Sequence, residues 1–165
     1  MSALTDILRT YRAPRQVVRD HLSHAASEPR ALTFLLSALI LVFIAQWPGL
    51  SRFAFHNPQV PLPALMLGQA LGLLLAAPIL YLVALVAQGV AKLLGGQGTG
   101  YGSRIALFWA LLASAPLLLL RGLVTGFIGM GHQANVISAL TFIAFLIFWI
   151  SGLRAAFFET GAKRS

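Results

Sequence analysis

The feature that most constrains this chain is a run of 28 residues, 64–91, without one charged side chain. Three further uncharged runs cover residues 31–47, 105–120 and 136–153. A helix needs about 20 mostly apolar residues to cross a bilayer. Of all 165 residues only 10% are charged, against about a quarter in a soluble domain. The sequence therefore predicts an all-α, polytopic transmembrane helical bundle of about four spans.

The bounds of the spans follow from charges and prolines. We expect a cytoplasmic segment over 1–30, a transmembrane domain over 31–156 and a cytoplasmic tail over 157–165, with spans at about 31–47, 64–91, 105–130 and 136–153. The second run is long for one crossing, so a tilt or a kink at Pro78 is expected. We expect the third span to continue past Arg121, because the 16 uncharged residues of this run reach only about 24 Å, which is short for a crossing. Pro116 is expected to kink it. The four prolines of the loop 48–63 predict an extended outer connection.

The first 24 residues predict two short amphipathic helices, separated at Ala13-Pro14. Their basic residues Arg12, Arg15 and Arg19 are candidate contacts for anionic lipid headgroups. The segment is then expected to lie in the headgroup layer. The alternative is a solvated helical cap on the bundle.

Charge predicts the orientation. With the N-terminus inside and four spans, ten of the twelve lysine and arginine residues are on the inner side, and only Arg52 and Arg121 are outside. The positive-inside rule therefore predicts that both termini are cytoplasmic, in a bacterial inner membrane. We expect the net charge of +8 to interact with the anionic lipid bilayer and not with nucleic acid.

Small residues indicate where helices approach closely or bend. Gly68 and Gly72 form a ridge of small residues on the second span, which predicts a helix-packing contact, in this bundle or in a homo-oligomer. Gly122 and Gly126 predict close packing or a hinge in the third span. Five glycines within residues 95–102, beginning with Gly95 and Gly96, predict a flexible connection.

The same connection carries a family resemblance. The run Lys92-Leu93-Leu94-Gly95-Gly96-Gln97-Gly98, followed by Arg104 and by Ser114-Ala115-Pro116, resembles the Yip domain family, which is named for interaction with Ypt/Rab GTPases. The resemblance implies a compact membrane bundle of the bacterial type and no catalytic residues. Members of the family usually have five spans, whereas the apolar runs of this chain indicate four.

No span contains a histidine or a carboxylate, so catalysis within the membrane is not expected and neither is a cofactor. His21 and His24 lie three residues apart, but one such pair is weak support for a metal site, and none is predicted. Arg121 is expected to reach outer phosphate groups. The resulting hypothesis is a non-enzymatic protein that acts through helix packing and lipid or protein contacts, in membrane organisation or as an adaptor. The alternatives are a small permease or channel lined by Gln69, Gln88 and Arg121, and an accessory or assembly subunit of a larger membrane complex.

Overall fold

The computed structural model describes residues 3–159, and every regular element in this range is a helix. The elements are α1 (Ala3–Thr10), α2 (Pro14–Ser23), α3 (Glu28–His56), α4 (Leu62–Leu93), α5 (Gly100–Ala113), α6 (Ala115–Phe127), α7 (His132–Arg154) and a final π-helical turn (Ala155–Glu159). Four segments are long and apolar enough to cross a membrane: α3, α4, α5 with α6, and α7 with the π turn. The all-α prediction is confirmed, and the chain is a multi-pass membrane protein.

The four spans give the bundle two ends. We call the end where α3 and α5 begin and α4 and α7 end the terminal face, because α1, α2 and the π turn lie there. We call the other end, with the connections 57–61 and 128–131, the loop face. The expected break at Ala13-Pro14 is confirmed, since Pro14 begins α2, where a proline loses no helical hydrogen bond.

Helix α5 is the centre of the bundle. Eleven of its 14 residues are buried, among them Phe108 and Trp109. It is surrounded by α1, α2, α3, α4, α7 and the π turn. Its Ser103 hydroxyl donates to the Ala84 carbonyl of α4 at 2.6 Å, which satisfies the buried hydroxyl and ties the two helices together.

The prediction that the first span ends at Trp47 and that 48–63 is extended was wrong, because α3 continues through Pro48 to His56. A proline inside a helix removes one hydrogen bond and usually costs about 3 kcal/mol. Here α6 packs closely on that position: a Cβ built on Gly126 of α6 would be 2.4 Å from the Pro48 Cβ. Packing against α6 therefore holds the helix together where the sequence alone indicates an end.

The third span consists of two helices. α5 ends at Ala113 and α6 begins at Ala115, so the discontinuity lies at Ser114 and Pro116 occupies the first turn of α6. The hydroxyl of Ser114 donates to the Ala110 carbonyl at 2.8 Å, which satisfies the hydroxyl between the two helices. The expected helical continuation past Arg121 is confirmed as far as Phe127, and the helix does not reach residue 130.

The glycine-rich connection is packed rather than free, which corrects the expectation of a flexible link. A Cβ on Gly98 would lie 2.5 Å from the Ala156 carbonyl oxygen, and one on Gly96 would lie 2.9 Å from the Phe157 Cβ. Gly95 has a φ of +86°, a conformation that side chains disfavour. The Gln97 amide also donates to the Phe157 carbonyl at 2.9 Å. These glycines let the connection lie directly under the π turn.

Helix α4 is the least covered span. Only 6% of its most apolar 18-residue window is buried, and it packs mainly against α3 and α5. It continues past Pro78 as one helix of 32 residues. Within residues 3–159, nothing outside α4 lies within 4 Å of a Cβ built on Gly68 or Gly72. The ridge therefore makes no close contact within the described part of the bundle, and its packing against another chain stays a prediction.

Candidate functional site

The candidate site is a helical hairpin, formed by α1 and α2, that packs against the terminal half of the bundle. Its turn closes through hydrogen bonds from the Arg12 and Ala13 amides to the Arg9 carbonyl, at 3.0 and 2.8 Å. The Arg9 guanidinium joins the two helices, because it lies 3.5 Å from Asp6 of α1 and 3.2 Å from Asp20 of α2. The hairpin is therefore a unit with its own internal ion pairs.

Apolar side chains hold the hairpin against the spans. Val17 and Val18 of α2 are each 1% exposed, although α2 carries three charged residues, Arg15, Arg19 and Asp20. Val18 packs where α5 and α7 converge: a Cβ on Gly152 would lie 3.0 Å from the Ala106 Cβ and 3.4 Å from a Val18 methyl group. Gly152 thus gives α2 room to approach both spans. This packing agrees with a helical cap on the bundle better than with a segment that only touches headgroups.

Buried polar contacts fix the tip of the hairpin. The hydroxyl of Thr10, which is fully buried, donates to the Asp6 carbonyl at 2.7 Å and accepts from Trp109 Nε1 at 3.0 Å. The Tyr11 hydroxyl donates to the Ala113 carbonyl at 3.1 Å, where α5 ends. Because buried donors and acceptors are costly to leave unpaired, these bonds specify one docking position.

The tip reaches well below the end of the bundle. The Tyr11 ring packs edge-on against Phe148 of α7, with ring centroids 5.1 Å apart. Phe148 lies six residues before Arg154, the last residue of α7, which corresponds to about 9 Å along the helix. A hairpin that only capped the bundle would not contact α7 at this depth. The hairpin therefore fills space beside α5 within the terminal half of the bundle.

His21 is the titratable group of the docked surface. Its ring lies between Trp109 and Phe34, at centroid distances of 4.4 and 5.1 Å, and its Nε2 has no hydrogen-bond partner among the described residues. Burial lowers the pKa of His21. The nearby Asp6 and Asp20 act in the opposite direction, while Arg30 and His24 add to the lowering. The neutral imidazole is therefore the form that fits this site.

His21 and His24 lie in different surroundings. The His24 ring is exposed and its Nδ1 lies 2.8 Å from the Asp20 carbonyl oxygen, whereas His21 faces the bundle. Within residues 3–159 no cluster of three or more histidine or carboxylate side chains could hold a metal ion. Sequence reasoning missed that His21 and Asp6 lie against a span, since neither belongs to one.

The arginines expected to contact lipid divide into two groups. Arg15 and Arg19 both face Glu159 of the π turn, Arg15 at 3.8 Å and Arg19 in a hydrogen-bonded ion pair. A second ion pair joins Arg104 of α5 to Glu28 of α3 on the same face. Arg12, at the hairpin turn, is exposed. Half of the Arg15 and Arg19 side chains remains accessible, so lipid contact is compatible with the pairs.

The outer edge of the hairpin is apolar. Leu4 and Leu8 of α1 are 74% and 71% exposed, and Tyr11 is 43% exposed. A second apolar surface lies between α4 and α7, where a groove of about 620 Å³ is lined by residues such as Leu82, Val86 and Ile150. Arg154 lines the same groove at the end of α7. Both surfaces suit acyl chains, with cations near the terminal face.

The other sequence-predicted residues lie apart from the hairpin. A Cβ on Gly122 would be 1.8 Å from the Ala45 carbonyl oxygen, so Gly122, like Gly126, lies at a close approach of α6 to α3. Arg121 donates from Nε to the Ser138 hydroxyl at 2.7 Å. The Gln88 side chain lies beside Gly100, where α5 begins. Gly100 and Arg121 are about 30 Å apart along the span. The structure does not bring these two residues into one pore.

Comparison of the chain with family models, with curated proteins and with solved structures gives no match. The resemblance to the Yip domain family therefore stays a prediction.

Proposed function

We propose that this chain is a non-enzymatic integral membrane protein of the Yip type that organises the bilayer, with the α1–α2 hairpin as a wedge in one leaflet. The observation that supports this proposal most directly is the contact of Tyr11 with Ala113 and Phe148. That contact places two extra helices beside the spans in the terminal half only.

The consequence is an unequal cross-section. Six helices lie side by side in the terminal half: α1, α2, α3, α4, α5 and α7. Of the described helices, four lie in the loop half: α3, α4, α6 and α7. A protein that is wider in one leaflet is accommodated best where that leaflet is convex. The exposed Leu4 and Leu8 let the wedge contact acyl chains rather than water.

The proposal includes the orientation. The terminal face carries the larger share of basic residues and would face the cytoplasm of a bacterial inner membrane. Reporter fusions after Gln59, Gln97 and Met130 and at the C-terminus are expected to alternate outside, inside, outside, inside. A C-terminal reporter that is active outside would contradict this orientation.

Curvature sorting tests the wedge. Labelled protein is reconstituted in giant vesicles of phosphatidylcholine, and its density is compared between the flat membrane and a narrow tube drawn outward. Molecules with the terminal face outward are expected to be enriched in the tube, and inverted molecules depleted. Equal densities in both orientations would refute the wedge.

A matched pair of variants links sorting to docking. Val18→Glu places a charge at a position that is 1% exposed, whereas Gln16→Glu adds the same charge at an exposed position of the same helix. Val18→Glu is expected to undock the hairpin and abolish sorting, and Gln16→Glu to leave it unchanged. Neutral lipid is used because charge would otherwise hold an undocked basic hairpin at the surface. Sorting that survives Val18→Glu would show that docking is not its cause.

A second candidate function, a subunit of a larger membrane complex, is favoured by the open face of α4. Gly68 and Gly72 leave its backbone uncovered on a helix that packs mainly against α3 and α5. Gly68→Leu is expected to reduce co-purification of a partner chain, or of a second copy, from native membranes in mild detergent. A monomer with no stoichiometric partner in the unsubstituted protein would exclude this candidate.

A further inference from the structure

A cleft of about 390 Å³ lies between α3 and α6 at the loop face. Two arginines line it, Arg52 of α3 and Arg121 of α6. The remaining polar lining comes from Gln46, His56, Asn57 and Thr125. Every lining side chain that carries a formal charge at neutral pH is thus positive. The cleft suits an anion.

Each of the two guanidinium groups uses only some of its N–H donors in hydrogen bonds within the protein. Arg52 Nη1 donates to the carbonyls of Gly126 and Phe127 at the end of α6, at 3.3 and 3.1 Å. Arg121 uses Nε, which donates to the Ser138 hydroxyl at 2.7 Å. Among the described residues none accepts a hydrogen bond from the terminal nitrogens of Arg121. The bond from Nε thus holds the guanidinium in place, while its two terminal nitrogens have no acceptor among the described residues.

No side-chain carboxylate of the chain can supply that acceptor. The sequence contains four aspartate and glutamate residues, and all of them belong to the terminal face: Asp6, Asp20, Glu28 and Glu159. Glu28 begins the same helix that carries Arg52, and the 24 residues between them correspond to about 36 Å. A partly buried arginine in a membrane protein needs a counter-charge or a route to the headgroups. The counter-charge must come from outside the chain.

An apolar groove continues from the same arginine. This second cavity, of about 300 Å³, lies between the α5–α6 span and α7 and shares Arg121 with the polar cleft. Ser138, which accepts the hydrogen bond from Arg121, also lines it. Its apolar lining is Leu111, Leu118, Phe142 and Phe145. From Arg121 to Leu111 the groove follows the span for about 15 Å toward the bilayer centre. An acyl chain fits a groove of this character and direction.

We propose that Arg52 and Arg121 bind the phosphate of an anionic phospholipid in the leaflet at the loop face, and that one acyl chain of this lipid lies in the groove beside Leu118. Guanidinium groups recognise phosphate through two parallel hydrogen bonds, which the unused nitrogens of Arg121 can provide. The groove supplies the reason that the ligand is a lipid and not a soluble anion. This site is independent of the hairpin at the other face.

Lipid binding to the purified full-length protein tests the proposal. Dimyristoylphosphatidylglycerol is titrated into the protein in neutral detergent, and bound lipid is counted by native mass spectrometry while melting is followed in parallel. Arg121→Gln is expected to weaken binding by about tenfold to a hundredfold, since the variant loses hydrogen bonds to a charged group. Lys92→Gln removes an equal charge from an exposed residue at the terminal face and is the matched control. Equal affinity in Arg121→Gln and Lys92→Gln would overturn the proposal.

A second variant tests the groove without altering charge. Leu118→Trp fills the space beside Phe142 and Phe145 and is expected to reduce lipid binding even if Arg121→Gln fails to fold. Unchanged lipid binding by Leu118→Trp would overturn the acyl-chain site. Glycerol 3-phosphate is the soluble comparison and is expected to give no increase in melting temperature at the lipid's concentration. An equal increase would assign the cleft to free phosphate and contradict a lipid site.

Discussion

Replacement of Gly122 by alanine tests the closest helix–helix contact in the protein. A Cβ at this position would lie 1.8 Å from the Ala45 carbonyl oxygen and 2.7 Å from its carbonyl carbon. The obstacle is the backbone of α3, so no side chain can turn away to make room. Ordinary contact requires the two helices to separate locally by about 1.5 Å. Such a shift would also loosen the neighbouring contact of Gly126 with Pro48.

The sign of the effect depends on two opposing contributions. Alanine is favoured over glycine in a helix interior by about 0.8–1 kcal/mol. Overpacking typically costs about 1–3 kcal/mol, and more where backbone must move. We therefore expect Gly122→Ala to destabilise the protein by about 1–2 kcal/mol. Gly72→Ala in α4 is the matched control, because nothing lies within 4 Å of its added methyl group. There only the favourable contribution remains, about 0.8–1 kcal/mol.

The assay is unfolding in mixed micelles, in which the fraction of a denaturing detergent is raised and the loss of helix is followed by circular dichroism. The two variants are expected to shift the midpoint in opposite directions. A Gly122→Ala protein as stable as the unsubstituted one would show that α3 and α6 are farther apart than described. A clear loss of stability in Gly72→Ala would show instead that another chain covers α4.

Three further predictions concern the hairpin. In the folded protein the pKa of His21 lies below its ordinary value of 6.5, so docking is most stable above pH 6.5 and weakens as the pH falls below 6.5. The melting temperature of the unsubstituted protein should therefore fall between about pH 7.5 and 5.5 more than that of His21→Phe, and parallel profiles would refute this. Thr10→Val leaves the buried Trp109 Nε1 without its acceptor and should cost about 1–3 kcal/mol in micelle unfolding, whereas no loss would exclude the bond as a determinant of docking. Arg19→Gln removes a half-exposed ion pair with Glu159 and should lower stability by at most about 1 kcal/mol, an effect that should disappear in high salt.

Charge and hydropathy were sufficient for the number of spans because a bilayer imposes a minimum length on any helix that crosses it. The run 64–91 agrees with α4 to within two residues at each end. Pro14 correctly indicated a helix start, since a proline in the first turn loses no hydrogen bond. Pro48 did not indicate a helix end, because packing of α6 against that position outweighs the local cost. A proline inside an apolar run therefore does not end a helix where another helix, distant in sequence, packs against it.

The hairpin could be predicted as two helices but not as a unit docked against the spans. Its amphipathic pattern is the same whether the apolar side faces lipid or a span. The bond between Thr10 and Trp109 joins residues 99 positions apart, and the contact between Tyr11 and Ala113 joins residues 102 apart. No local pattern indicates such pairs. The sequence did not predict the loop-face cleft. It predicted only that Arg121 reaches outer phosphate groups, and it placed Arg52 in a segment expected to be an extended loop.

The depth of the hairpin tip is the central claim, and photo-crosslinking in native membranes measures it most directly. The photoreactive analogue p-azidophenylalanine is introduced at Tyr11, and crosslinked peptides are identified by mass spectrometry. The same analogue at Leu8, which is 71% exposed, is the control and should react with lipid. We expect position 11 to crosslink to α7 around Phe148 or to the end of α5 around Ala113. Only lipid adducts at position 11, as at position 8, would contradict a hairpin docked within the bundle.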